Sequence, residues 1–112
     1  MDERLPHGDE AIVDRAKIEA YCLNEAHPRG RHKARVFRAA LGIGQSDAAW
    51  LTRVFLDAAR SALAHVVAED GWGTQWRVDT TVSRHGRSAV VRTAWIVRRG
   101  ETRPRFVTAW VL

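Results

Sequence analysis

The chain is poor in cysteine, lysine and long apolar runs. Its 112 residues include one cysteine, Cys22, which has no partner for an intramolecular disulfide. A disulfide-stapled secreted scaffold is therefore excluded, and a reducing compartment is expected. The polar, acidic start, MDERLPHGDEA, lacks the apolar run of a secretory signal or a membrane anchor. We accordingly expect a soluble, cytoplasmic protein with no membrane partner.

The composition is otherwise that of an ordinary globular protein. Hydrophobic residues make up 46% and charged residues 28% of the chain. A chain of this length can bury one core without a metal or disulfides. The sequence predicts a single α+β domain over residues 1–112, with a polar and flexible segment at residues 1–10.

The basic residues are almost all arginines. The net charge is +5, and of 18 lysines and arginines only Lys17 and Lys33 are lysines. Guanidinium groups bind phosphate in a bidentate manner, which favours a polyanionic partner such as RNA. An acidic or nucleic-acid-binding protein complex would use the same surface.

The first two thirds of the chain predict three helices. The first spans about residues 14–23 with Asp14 as its N-cap, and the second spans about 31–41 and ends at Gly42. The third begins at Ser46 and Asp47. Its apolar residues have helical spacing up to residue 66: Leu51, Val54, Phe55, Ala58, Ala62 and Val66.

The last third predicts a three-stranded antiparallel meander covered by a single layer of helices. The expected strands are Gln75–Ser83, Ser88–Arg98 and Arg105–Leu112, joined by turns that contain Gly86 and Gly100. Strict alternation in the last strand would turn Val107, Ala109 and Val111 to one face, and Phe106, Thr108 and Trp110 to an open face.

Three segments of the sequence are distinctive: the run HPRGRHKARVFRAALG from His27 to Gly42, residues 92–96 (RTAWI) and residues 104–108 (PRFVT). Together they resemble a small bacterial family of unknown function, whose members occur alone or as the last domain of toxin-like and phage-related proteins. The order of helices before an antiparallel sheet is similar to the Barnase, EndoU, colicin and RelE superfamily of metal-independent ribonucleases. The resemblance implies a ribonuclease, with an immunity protein as a further expected partner.

The second helix supplies the main candidate site. Arg31, Arg35 and Arg38 share one side of it, whereas Lys33 lies with the apolar residues. Lys33 must either extend past the helix end or reach a cleft above the sheet. The free backbone N–H groups of the helix start make residues 27–33, including His27 and Arg29, a phosphate site.

Cleavage of RNA needs proton-transfer groups and cations for the phosphorane. His32 is the candidate base or acid, because the pKa of an unperturbed histidine is near neutrality. Lys33 and Arg92 would stabilise charge, Thr93 or Thr108 would hydrogen-bond a phosphate oxygen, and Trp110 or Phe106 would stack on a base. Adjacent strand residues face opposite sides, so at most one of Arg92 and Thr93 shares the cleft.

No metal or other cofactor is expected. The five histidines lack zinc-ligand spacing, and Cys22 shares a face with Ile18, which indicates a core residue. Two functions stay open. One is a toxin-like, metal-independent ribonuclease; the other is a non-catalytic phage or mobile-element module that binds an acidic or nucleic-acid-binding partner, such as a defence complex, through its arginine face.

Overall fold

The computed structural model describes residues 3–112. The first two residues of the polar N-terminal segment, Met1 and Asp2, lie outside the described residues. Short 3₁₀ turns occur at Gly8–Glu10 and Gln45–Asp47. The helices are α1 (Arg15–Lys17), which continues as a π-helical turn at Ile18–Cys22, α2 (Arg31–Leu41) and α3 (Ala48–Ser61). The strands are β1 (Ala64–Asp70), β2 (Gly73–Arg84), β3 (Arg87–Arg98) and β4 (Arg105–Val111).

The sheet has four antiparallel strands in the order β1-β2-β3-β4, so the predicted three-stranded meander is wrong. The missed strand is β1, whose residues were assigned to the end of the third helix. That helix ends at Ser61, and Ala62 is extended, with ψ of 159°. The apolar spacing that continued to Val66 was coincidental, because the β-branched pair Val66 and Val67 favours a strand that pairs with β2.

The helix ends follow local sequence signals. Asp14 caps α1 by accepting the Ala16 N–H at 3.0 Å. Helix α2 ends at Gly42, whose φ of 68° is left-handed backbone that a glycine adopts without strain. These two helices match their predicted positions.

One face of the sheet packs on the helices. The core includes Phe37 of α2, Phe55 of α3 and Trp95 of β3. A bulge in β4, opposite Ala94 and Trp95, breaks the predicted alternation. Phe106 consequently points into the core, where it stacks on Phe55 and meets Trp95 edge to face, each at 5.5 Å between ring centroids. Phe106 therefore does not belong to the open face, and Val107 is exposed instead.

The outer edge of β4 is covered by the segment before α2. Ile12 exchanges backbone hydrogen bonds with Pro104 and Phe106, at 2.8 and 2.9 Å. The Lys17 ammonium donates to the Phe106 carbonyl at 3.1 Å. This arrangement brings the π-helical turn and the start of α2 beside β4. Within residues 3–112, no helix combines the length and the apolar character that crossing a bilayer requires.

Candidate functional site

Lys33 reaches from α2 to the edge of the sheet. Its ammonium group donates to Thr108 Oγ1 at 3.2 Å and lies 3.5 Å from Tyr21 Oη. It also lies over two aromatic rings, 5.2 Å from the centroid of Tyr21 and 5.4 Å from that of Trp110. Of the two alternatives for Lys33, the structure has the one in which the side chain reaches a cleft.

The contacts of Lys33 leave its positive charge unneutralised. In the part of the chain from residue 3 to 112, no carboxylate oxygen lies within 4.0 Å of its ammonium group. Hydroxyls and aromatic faces orient an ammonium group, but they do not cancel its charge. Lys33 is thus a half-buried cation without an ion-pair partner among residues 3–112.

The Lys33 groove is an open depression of about 430 Å³ between α2 and β4. Its walls are His32, Lys33, Val36, Trp110 and Val111. His32 and Lys33 thus line the same groove, as the first turn of α2 predicts. The apolar walls and the Trp110 ring suit a flat ring next to the Lys33 charge.

Arg31 and Arg35 lie exposed on the outer side of α2. Neither has an ion pair among the described residues. Arg38 differs, because its Nε donates to Glu25 Oε2 at 2.7 Å. The predicted stripe of three arginines therefore offers two free guanidinium groups.

His27 organises the turn before α2. Its Nδ1 accepts the backbone N–H groups of Arg29 and Gly30, each at 3.0 Å, and its ring meets Tyr21 edge to face at 4.8 Å. The imidazole thus takes up two of the backbone N–H groups in the segment that we assigned to a phosphate. We thus assign His27 a structural role at this turn, whereas the Arg29 side chain is exposed.

Thr93 does not reach the groove. It is 0% exposed, and its hydroxyl donates to the Val78 carbonyl at 2.7 Å and accepts from Trp95 Nε1 at 2.8 Å. The helix-facing side of β3 is core, so Thr93 satisfies buried polar groups there. We correct its assignment from a phosphate-binding to a structural residue.

Arg92 lies on the other face of β3, opposite Trp110 of β4. Its guanidinium group holds Asp79 with two hydrogen bonds, at 2.9 and 3.0 Å. These bonds to Arg92, with smaller effects of Arg77 and His65, lower the pKa of the Asp79 carboxyl. Arg92 is thus a neutralised and rigid cation rather than a free one.

A second hollow of about 390 Å³ lies on this open face of the sheet. Trp110 lines both the hollow and the Lys33 groove, so the two depressions adjoin at its ring. The complete lining consists of Val67, Gln75, Trp76, Arg77, Arg92, Ala94, Trp95, Ile96, Val107 and Trp110.

The profile of a family described as a domain of unknown function, DUF6883, matches residues 4–112. The chain belongs to the DUF6883 family. No curated protein is significantly similar to it in sequence.

This DUF6883 chain has a structural relative in a "contact-dependent growth inhibition toxin - immunity protein complex" from Klebsiella pneumoniae 342. One chain of that complex matches with a TM-score of 0.71 at 15% identity, over 91% of this chain and 100% of that chain. At such low identity the likeness shows the fold alone. The expected resemblance to a family of unknown function is confirmed, together with a fold that occurs in a toxin–immunity complex.

Tyr21 is a contact of Lys33 in this DUF6883 domain that the sequence did not predict. Tyr21 precedes the turn at residues 24–30 and is 12 positions from Lys33 in sequence. Only the π-helical turn brings its hydroxyl to the Lys33 ammonium group. Two charged neighbours of Arg92 were also missed. Asp79 faces Arg92 in the register of β2 and β3, and His65 joins Arg77 only once β1 pairs with β2.

Cys22 lies fully buried behind Lys33. Burial raises the pKa of its thiol, and the nearby Ala109 backbone, Thr108 and Lys33 offset that rise only in part. The thiol is thus protonated at neutral pH and acts as a small core residue. Residues 3–112 contain no cluster of three or more histidine, cysteine or acidic side chains that would hold a metal.

Proposed function

We propose that this DUF6883 domain is a toxin-like, metal-independent ribonuclease that cleaves RNA phosphodiesters in the Lys33 groove. The observation that carries the proposal is the Lys33 ammonium, which is half-buried, fixed by Thr108 and Tyr21, and without a carboxylate partner among residues 3–112. A cation fixed in advance where negative charge develops is the largest common contribution to catalysis. The fold, which also occurs in a toxin–immunity complex, supports a toxin-like role.

The proposed reaction uses groups of the RNA, of this chain and of solvent water. The ribose 2'-oxygen attacks the adjacent phosphorus as a base removes its proton, and the bond from phosphorus to the 5'-oxygen breaks as that oxygen gains a proton. The products are a 2',3'-cyclic phosphate and a free 5'-hydroxyl. His32, at the rim of the groove, serves as the base or the acid, and a water molecule from solvent serves as the other proton-transfer group.

Lys33 and Thr108 act on the phosphorane that forms between these two bond changes. The Lys33 ammonium faces its extra negative charge, and the hydroxyls of Thr108 and Tyr21 hydrogen-bond its oxygens. Trp110 offers its ring to a neighbouring base. Arg92 is neutralised by Asp79 and lies beyond Trp110, so we give it no contact with the reacting phosphate.

The decisive experiment incubates the purified protein with total RNA and with tRNA in EDTA, followed by a denaturing gel. Lys33→Ala and His32→Ala versions are compared with Arg53→Gln, a control that removes one exposed arginine from α3. Cleavage by the wild type and the control, but not by the two groove variants, supports the proposal. Intact RNA at stoichiometric protein would refute it.

The exposed pair Arg31 and Arg35 supports a second candidate, a non-catalytic binding module of phage or mobile-element origin. Such a module would hold RNA or an acidic protein complex on the outer side of α2. It predicts that tRNA is bound but left intact. Charge reversal at Arg31 and Arg35 would then abolish binding, whereas a ribonuclease would still cleave a small substrate.

A protein inhibitor is the partner that suits the ribonuclease. The related complex contains an immunity protein by its title. An inhibitor of this domain would cover the Lys33 groove and bring an acidic surface to α2, because His32, Lys33 and Arg35 all lie there. A protein that prevents RNA from binding to the groove in a competition assay would be such a partner.

A further inference from the structure

The second hollow, on the open face of the sheet, is positively charged. Its lining includes Arg77 and Arg92 and no aspartate or glutamate. The carboxylate beside it, that of Asp79, is held by Arg92 through two hydrogen bonds. Arg77 makes no ion pair among residues 3–112. Two guanidinium groups and one carboxylate therefore leave the hollow with a net positive charge.

The Arg77 side chain also lacks a hydrogen-bond acceptor. Arg77 is half-buried in the wall of the hollow, and its Nε has no hydrogen-bond partner among the described residues. A guanidinium group only donates hydrogen bonds, and a buried donor without an acceptor is unfavourable. A ligand that brings acceptor atoms to this wall would therefore be stabilised by Arg77.

The strand register connects Arg77 with the Lys33 groove. Arg77 of β2 pairs with Ala94 of β3, and Ala94 pairs with Thr108 of β4, so the three residues form one row across the sheet. Neighbouring strands are about 4.8 Å apart, which places the Cα atoms of Arg77 and Thr108 about 10 Å apart. Thr108 accepts the Lys33 hydrogen bond, and only the methyl group of Ala94 stands between Thr108 and Arg77 in this row.

This row suits a nucleotide whose phosphate lies beside Lys33. The Lys33 ammonium is 5.4 Å from the centroid of the Trp110 ring, and Trp110 lines both the groove and the hollow. The base attached to that phosphate would lie over Ala94 against the Trp110 ring, among apolar walls that include Ile96. The edge of the base would then face Arg77.

We propose that the second hollow binds the base next to the cleaved phosphate, and that Arg77 selects guanine there. Guanine presents two adjacent acceptors, O6 and N7, which match the fork of a guanidinium group. Adenine has a donor amino group beside N7, so one donor of Arg77 would meet another donor. The inference rests on the proposed function for its choice of a ribonucleotide, but the geometry of the hollow does not.

The length of the row favours a purine over a pyrimidine. Cytosine also has two adjacent acceptors, N3 and O2, but its single ring extends less far from the ribose. A base that starts near Thr108 must cross β3 to meet Arg77 on β2. The two fused rings of guanine therefore reach Arg77 better than cytosine does.

The test measures the binding of guanosine, adenosine and cytidine 3',5'-bisphosphates by isothermal titration calorimetry. These compounds have a phosphate on each side of the ribose and no phosphodiester bond to cleave. The wild type should bind the guanosine compound at least about tenfold more tightly than the adenosine compound, as expected for one bidentate arginine contact.

Two variants of Arg77 separate its charge from its hydrogen bonds. Arg77→Lys keeps the charge and loses the fork, so the guanine preference should disappear while the bisphosphates still bind. Arg77→Gln should reverse the preference, because a glutamine amide pairs with N6 and N7 of adenine. Arg53→Gln, which removes an exposed arginine from α3, is the matched control and should keep the wild-type preference.

Equal affinity of the wild type for the guanosine and adenosine compounds would overturn the proposal, as would no binding of any compound, tighter binding of the cytidine compound, or a guanine preference that persists in Arg77→Gln. Each preference is a ratio within one variant, so a smaller folded fraction does not change it. A guanine preference that depends on Arg77, in a protein that leaves RNA intact, would refute only the proposed function. Cleavage of tRNA without a guanine preference beside the cut would refute only the base site.

Discussion

Lys33 combines two properties that seldom occur together at one residue. Its stem lies on the apolar side of α2, and its charge ends between two hydroxyls and two rings instead of at a carboxylate. A lysine that only stabilised the fold would gain more from an acidic partner. The arrangement therefore favours a charge kept for a ligand.

Lys33→Met separates catalysis from stability. Methionine keeps the apolar stem and loses the charge, so the rate of RNA cleavage should fall by about 100- to 1000-fold, as for the loss of other charge-stabilising donors. The free energy of unfolding, measured in urea, should change by less than about 1 kcal/mol. A large loss of stability with the rate preserved would make Lys33 a structural residue.

Thr93, in contrast to Lys33, contributes to the stability of the fold and not to the groove. Thr93→Val retains the shape but leaves Trp95 Nε1 without its buried acceptor, so we expect about 1–3 kcal/mol of destabilisation in urea unfolding. The cleavage rate of the folded fraction should not change. Normal stability with reduced cleavage would return Thr93 to the site.

At the scale of elements, the sequence predicts those pieces that local chemistry determines. Helix α2 has a glycine at its C-terminal end and a clear apolar side, and its observed bounds, Arg31–Leu41, are those predicted. Strand β1 was missed because Ala62 and Val66 continue the helical spacing, although the β-branched pair Val66 and Val67 favours a strand, and pairing with β2 decides between the two. The bulge that turns Phe106 inward likewise depends on packing against Phe55 and Trp95.

The turn that leads into α2 depends on His27. His27→Ala removes the acceptor of two backbone N–H groups, so it should destabilise the protein by about 1 kcal/mol, in the range of lost helix caps. His27→Asn keeps a side-chain acceptor and should recover part of that loss. Thermal unfolding of the three proteins checks this, and equal stability of wild type and His27→Ala would contradict the structural role.

The ion pair of Asp79 and Arg92 reinforces the pairing of β2 with β3. The contribution of this ion pair to the free energy of unfolding should depend on pH. The pKa of Asp79 is lowered in the folded state, so the ionised pair stabilises the fold above the ordinary aspartate pKa of 3.8. That stabilisation is lost as the pH falls through the lowered pKa. The difference in unfolding free energy between wild type and Asp79→Asn should thus be constant from about pH 5 to 8 and shrink below about pH 4. A difference that persists at low pH would show that charge is not its source.

At the scale of the whole molecule, the groove joins parts of the chain that are far apart in sequence. Lys33 and Thr108 are 75 positions apart, and Tyr21 arrives from a separate helical turn. The residue types on α2 could be predicted to form a site, since they follow from helical spacing. Their partners could not, because those depend on which strand forms the sheet edge and how the N-terminal segment covers it.

The chemical ends of the cleaved RNA test the proposed ribonuclease reaction most directly. The measurement is the mass of the fragments that the wild-type protein releases from tRNA in EDTA, with Lys33→Met as the negative control. The proposed reaction predicts 2',3'-cyclic phosphate and 5'-hydroxyl ends from the wild type and no fragments from the variant. Fragments with 3'-hydroxyl and 5'-phosphate ends, or identical fragments from the variant, would contradict it.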